Sequence, residues 1–252
     1  MPRSVQCALL SRLLMSLSLS FSVTLDAAET RIAVAANFTA AAKALQQDFE
    51  QRYGHRLLIS YGSTGKLYTQ IYQGAPFELF LAADSQRPER AEREGLAVAG
   101  SRITYALGGL ALWSAEGASE TELIAQLKGG EYRRLAMANP KIAPYGAAAA
   151  EVMAGMALAS EPGKQVYGEN IAQTYQFVAT GNAELGFVAL AQMKNTSQAH
   201  YWIIPQHYYQ PIRQQLVLLK QGQSSPAAQA FLAYLGGDDA RAIIHAYGYG
   251  SE

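Results

Sequence analysis

The chain has 252 residues, half of them hydrophobic, enough to bury a sizeable core in one large domain or two smaller ones. Basic and acidic side chains balance at 20 each, so no basic footprint points to nucleic acid or to an anionic membrane surface. The single cysteine, Cys7, excludes a disulfide framework within the chain.

Residues 1–28 have the layout of a secretory signal: Arg3 and Arg12, a mostly apolar run from Leu13 to Leu25, then small residues around Ala27 and Ala28. The run is short for a membrane span. Cleavage near Ala28 removes Cys7, Arg3, Arg12 and Asp26, leaving 18 basic against 19 acidic side chains. The expectation is a soluble, thiol-free exported protein suited to a bacterial periplasm.

From there strands alternate with helices. "RIAVAANF" is a short apolar strand, and "TAAAKALQQDFEQRYG" follows with apolar residues at helical spacing and a closing Gly54. "HRLLISYG" is a second strand, "STGKLYTQIYQG" a second helix opened by Ser63 or Thr64, and "FELFLAAD" a third strand. This alternation predicts parallel α/β packing. In "SRITYALGGLALWSA" the pair Gly108 and Gly109 interrupts an apolar run, which suggests a bulge or a bend.

A second α/β stretch runs from about residue 110 to 210, through "ELIAQLKGG", "RLAMANP", the alanine-rich helix behind "APYG", "ENIAQTYQFVATG" and "ELGFVAL". The chain returns in "PIRQQLVLLK" and closes with two helical patterns broken by glycine. The predicted layout is a signal at 1–28, a first lobe of 29–108 plus 213–252 and a second of 109–212, with two crossings near residues 105–109 and 209–215 and a cleft. Tyr-rich "HYYQP" at 207–211 is read as hinge packing.

In open α/β sheets ligands bind beyond the carboxyl ends of the strands, where helix N-termini gather. Four strand-to-helix joints carry short polar or turn-forming residues: "AANFT" at 35–39, "YGSTG" at 61–65, "APYG" at 143–146 and "GENIA" at 168–172. Each helix start carries a partial charge of roughly +0.5, so four converging ends would offer about +2 at most, a match for a dianion. Asn37, Ser63, Thr64 and Tyr145 are neutral donors, and no arginine sits at any joint. Such residues are also ordinary helix caps, so the anion reading depends on convergence, which spacing does not establish. Lys66 lies near the second joint and is read as a solvated side chain.

The segments "VAANFTAAAKAL", "SYGSTGKLYTQIYQGAPFELFLAAD", "GSRITYALGGLALWSA", "NPKIAPYG" and "GNAELGFVAL", in that order, make the chain resemble the periplasmic molybdate-binding proteins of ABC transporters over nearly all of residues 31–250. The resemblance implies a two-lobed periplasmic-binding-protein fold of type II, no enzymatic activity, no cofactor, and a tetrahedral oxyanion, molybdate or tungstate, handed to a membrane permease by a monomer. Carried over position by position, it implies contacts from Ala36 and Asn37, from Ser63 and Thr64, from the amide of Tyr145 and from the amide of Ile171, with Asn37 giving both its N–H and its side-chain NH₂. Molybdenum would be held only as the oxyanion, through these same residues. Many relatives place a tyrosine where this chain has Ala189, and Tyr145 is the residue able to supply a phenol instead.

Other motifs do not hold. "GSTGK" lacks the glycine at position 60 and the hydroxyl at position 67 that a phosphate-binding loop requires, and "YGSTG" lacks the first glycine of a nucleophile elbow. His55, His200, His207 and His245 have no metal-ligand spacing. "NTS" at 195–197 fits a glycosylation pattern without meaning for a bacterial product. Two alternatives stay open: the same fold carrying sulfate or phosphate, and an exported hydrolase of phosphate or sulfate esters.

Overall fold

The computed structural model describes residues 27–158, 163–194 and 200–252. The expected signal therefore lies, up to residue 26, outside the described residues, as does the Asn-Thr-Ser tripeptide at 195–197.

The chain opens with β1 (Glu29–Ala35), α1 (Thr39–Tyr53), β2 (Arg56–Gly62), α2 (Thr64–Tyr72), β3 (Leu79–Ala82), α3 (Gln86–Arg93) and β4 (Ile103–Gly108). It crosses into β5 (Leu110–Trp113), α4 (Glu120–Gly129), β6 (Leu135–Ala138), α5 (Pro144–Gly155), β7 (Gln165–Gly168), α6 (Ile171–Ala179), β8 (Leu185–Ala189), the single turn α7 (Leu190–Met193) and β9 (Tyr201–Ile203). It then returns as β10 (Ile212–Leu218), α8 (Pro226–Leu235) and α9 (Asp238–Ala246).

Two five-stranded sheets result, in the orders β2-β1-β3-β10-β4 and β7-β6-β8-β5-β9. They share one plan: three parallel strands, then an antiparallel strand, then an edge strand. The antiparallel strand in each is the segment that has just left the other sheet. β5 follows the edge strand β4, and β10 follows the edge strand β9, so two passages join the lobes.

The strands β3, β5, β6 and β8 are buried at every position, which is why they read as unbroken apolar runs. The edge strands β2 and β7 are only partly buried. α1 and α4 stop where Gly54 and Gly130 take φ of 69° and 68°, a left-handed turn that costs glycine little. α4 also starts on a reciprocal capping box between Ser119 and Glu122.

Two local expectations change. The first strand ends at Ala35, and Ala36–Phe38 form one turn of 3₁₀ helix leading straight into α1. Gly108 and Gly109 form no bulge; they are the passage itself, within the crossing expected at 105–109, and their missing side chains make room. A Cβ on Gly108 would stand 2.3 Å from the Tyr145 hydroxyl, and one on Gly109 would stand 3.0 Å from Leu190. The β-bulge lies earlier, where the β10 register steps from Gln214 opposite Ala106 to Gln215 opposite Thr104 and leaves Tyr105 as the extra residue. Tyr209 of the "HYYQP" segment is buried beside the passage, its hydroxyl accepting from Leu110 N–H at 3.1 Å.

Candidate functional site: helix starts across the cleft

The parallel pairing places the joints side by side. Ala35 pairs with Gly62 in the first lobe, and Ala138 pairs with Gly168 in the second, so the chain leaves adjacent strands at the same level in each. All six sequence-derived positions, Ala36, Asn37, Ser63, Thr64, Tyr145 and Ile171, line one small cavity between the lobes. Two larger grooves open on either side of the cleft, one past Arg87, Lys141 and Arg213, the other past Lys43, Tyr175 and Tyr247. Each borders some of these helix starts, but neither brings together those of α2, α5 and α6 as the small cavity does.

The lobes touch around the cavity. Gly65 N–H donates across the cleft to Ile142 C=O at 2.8 Å, and Arg87 Nη2 reaches Lys141 C=O at 3.3 Å. Lys66 is not simply solvated: its ammonium pairs with Glu169 of the other lobe at 2.6 Å, both side chains being about half exposed at 49% and 61%. The long ammonium stem spans the gap that solvation alone would have left open. An exposed pair of this kind contributes at most about 1 kcal/mol and is screened by salt. Lys66→Ala is accordingly expected to weaken ligand binding by no more than about fivefold at low ionic strength. The difference should vanish in high salt, which titrations at two ionic strengths would check.

The cavity itself is lined by no charged side chain. Its donors are amides and hydroxyls. The N–H groups of Asn37, Thr64, Tyr145 and Ile171 appear in none of the loop, cap and side-chain hydrogen bonds among the described residues. This follows from helix geometry, because first-turn N–H groups have no partner in their own helix. α5 has Pro144 in its first turn and no side-chain cap, and Asn139 is turned to Lys141 N–H instead. α6 is capped at one amide only, where Asn170 accepts from Gln173 N–H at 3.0 Å.

Three hydroxyl oxygens already accept from the protein. Ser63 Oγ accepts from Lys66 N–H at 3.4 Å, Thr64 Oγ1 from Ala83 N–H at 3.1 Å, and Tyr145 Oη from Gln214 Nε2 at 3.3 Å. An oxygen engaged as an acceptor has its own proton to give. Burial pushes the Tyr145 phenol well above the ordinary tyrosine range, with the neighbouring phenols of Tyr249, Tyr105 and Tyr209 adding to the shift, so it stays a protonated donor near neutral pH. The site is thus rich in donors and free of ionised groups.

The side chain of Asn37 behaves differently from the sequence expectation. Its NH₂ is spent on Gln214 Oε1 at 2.8 Å and on Tyr249 Oη at 3.2 Å, leaving the backbone N–H as its donor toward the cavity. A buried amide takes partners from the protein when they are in reach, since leaving them unpaired costs about 1–3 kcal/mol. Gln214, Tyr105 and Tyr249, which complete this network, were missed in the sequence. The one available signal was a glutamine pair inside the apolar strand "IRQQLVLL". Ala189 ends β8 fully buried, its N–H bonded to Gln192, and does not line the cavity.

Two similar α/β lobes joined by two passages, with uncapped helix starts from both facing one cavity, define a solute-binding protein. The chain belongs to the bacterial extracellular solute-binding protein family, whose model matches residues 30–250. It is a binding protein and not an enzyme. It is 50% identical over 246 residues to the molybdate-binding protein ModA of Azotobacter vinelandii, covering 96% of this chain and 98% of that one. A ModA of Rhodobacter capsulatus is 46% identical over 240 residues, 94% of either chain. Among solved structures, an Azotobacter vinelandii periplasmic molybdate-binding protein superposes with a TM-score of 0.82 at 36% identity, covering 88% of this chain and 99% of that chain.

Proposed function

We propose that the protein captures molybdate, and tungstate alongside it, in the periplasm and delivers the ion as a monomer to an ABC-transporter permease, without a cofactor. The observation that carries this reading is the donor set: unspent amides and hydroxyl protons from both lobes around one small cavity that no charged side chain lines. Ala36, Asn37, Ser63 and Thr64 act from one lobe, Tyr145 and Ile171 from the other. Directed hydrogen bonds hold an oxyanion without burying an ion pair. The ion favours the closed form through contacts that exist only when both lobes meet, which is what a ligand must do to shift the balance. The kinship with two molybdate-binding proteins at 46–50% identity supports the choice of ion.

Phosphate is disfavoured because its protonated form needs an acceptor, and no carboxylate lines the cavity. Sulfate, a smaller ion, would leave donors from the two lobes too distant. An ester hydrolase would need an activated nucleophile or a metal cluster, and no group of histidine, cysteine or acidic residues able to hold a metal occurs among the described residues.

Isothermal titration of residues 29–252 with molybdate, tungstate, sulfate and phosphate tests the reading. Tight one-to-one heat with the first two, and weak or no heat with the others, is expected. Silence with molybdate and strong heat with sulfate would overturn the ion and keep the site. Tyr145→Phe, which removes one donor to a charged ligand worth about 1.5–3 kcal/mol, should weaken molybdate roughly 10- to 100-fold. Thr64→Ala should weaken it too. Asn37→Ala, which keeps the backbone N–H and removes only the buried support from Gln214 and Tyr249, should weaken it by less. Tyr145→Phe and Thr64→Ala both binding like the parent would place the ligand elsewhere.

A further inference from the structure

The network behind the cavity has a fixed direction. Tyr249 donates its hydroxyl proton to Asn37 C=O at 2.7 Å, so its oxygen has only acceptor capacity left for the group 3.2 Å away, which must be the Asn37 NH₂. That NH₂ also faces Gln214 at 2.8 Å, so the Gln214 atom there must be its oxygen. Tyr105, the extra residue of the β4 bulge, has its one hydroxyl proton within reach of this oxygen at 3.2 Å and of Ala82 C=O at 3.1 Å, and the direction of the network does not depend on which of the two takes it. The other end of the Gln214 amide is then the NH₂, and it meets the Tyr145 hydroxyl at 3.3 Å. Each assignment forces the next, and the chain of donors ends on the Tyr145 oxygen.

The participants are buried: Gln214 at 0%, Tyr145 at 2%, Tyr249 at 4% and Asn37 at 6% exposure. The contact is also built for, since a side chain on Gly108 would stand 2.3 Å from the Tyr145 hydroxyl and 2.9 Å from Gln214 Nε2. Gln214 sits on β10, just after the return passage, and joins a ligand-facing loop of one lobe to a ligand-facing residue of the other.

We infer that Gln214 is a positioning residue for oxyanion capture: by donating to the Tyr145 oxygen it forces the phenol to present its proton, and never a lone pair, to the cavity. The inference rests on the proposed binding of an oxyanion and deepens it. A hydroxyl free to rotate serves as acceptor or donor by turns; one whose acceptor side is occupied discriminates in favour of a fully deprotonated ligand. The same amide holds Asn37 in place, so the two lobes' contacts are set together when the cleft closes.

The test is a double-mutant cycle read by isothermal titration with molybdate. Gln214→Leu is expected to weaken binding about tenfold in the parent and by a third of that factor or less in Tyr145→Phe, because the hydroxyl through which it acts is gone. An equal loss in both backgrounds, or no loss in the parent, overturns the inference. Gln214→Met, which keeps the unbranched shape, replaces leucine if thermal melting shows that Gln214→Leu does not fold. A measurement free of both ligand and substitution is the nuclear Overhauser contact between the Gln214 side-chain NH₂ and the Tyr145 ring. Its presence is expected, and its absence would reverse the amide and sink the inference. A parent that binds none of the four anions overturns the proposed function, and the orientation of Gln214 then stands or falls on this contact alone.

Discussion

Gly65→Ala should bind the oxyanion roughly 10- to 100-fold more weakly while its lobe becomes no less stable. Gly65 lies in the first turn of α2 and donates its N–H to Ile142 of the other lobe. A Cβ there would stand 2.9 Å from both the Cα and the carbonyl oxygen of Ile142, backbone atoms that do not step aside as a flexible side chain does. Within its own lobe the change is favourable, since alanine gains up to about 1 kcal/mol over glycine in a helix. The two effects separate. Thermal melting of the ligand-free protein should hold or rise, titration should show the lost affinity, and small-angle scattering with saturating anion should show a molecule larger than the closed parent. Unchanged affinity would mean that the lobes need not meet at Ile142 for capture.

The second large effect is expected at Gly146, two residues after Pro144. A Cβ at this position would stand 2.2 Å from the carbonyl oxygen of Ala138 and 2.6 Å from its carbon, at the end of β6. Neither backbone segment has slack, because Ala138 is paired with Gly168, and Ala138, Ala143, Tyr145, Ala148 and Ala149 pack into the second lobe's core. Gly146→Ala must therefore push the start of α5 away from the sheet. The cost is about 3 kcal/mol, the upper end for overpacking, or a fall of about 6–12 °C in melting temperature for a chain this size. The surviving folded molecules should also bind more weakly, because Tyr145 moves with the turn. A protein that melts like the parent would show that the turn absorbs the extra carbon without shifting the site.

These two glycines illustrate how differently the sequence speaks of fold and of contact. The buried strands were legible because a strand covered on both faces needs an apolar residue at every position, as in "LFLA", "LALW" and "LGFVA". The helix ends at Gly54 and Gly130 were legible because a left-handed residue favours glycine. Gly65, Gly108 and Gly146 have no such local reason. Each is small because of a backbone or side chain that arrives from elsewhere in the chain.

The candidate site divides in the same way. Short polar residues at four strand-to-helix joints marked the helix starts, and the family resemblance selected six positions among them. The fate of the donors was not legible. Whether Asn37 gives its NH₂ inward or to Gln214, and whether Lys66 meets water or Glu169, depends on residues 177 and 103 positions away in the chain. Side-chain polarity names what a group is able to donate and leaves open which partner takes it.

By itself, then, the sequence determined the α/β alternation, the burial of the central strands, the absence of a charged binding motif and the four helix starts at strand-to-helix joints, all of which follow from local periodicity and turn chemistry. Only the tertiary structure decided that those starts face one another, that Lys66 clasps the opposite lobe, and that Gln214 directs the Tyr145 hydroxyl. The physical reason is that convergence is set by strand pairing across two passages, where residues far apart in the chain compete for the same few buried partners.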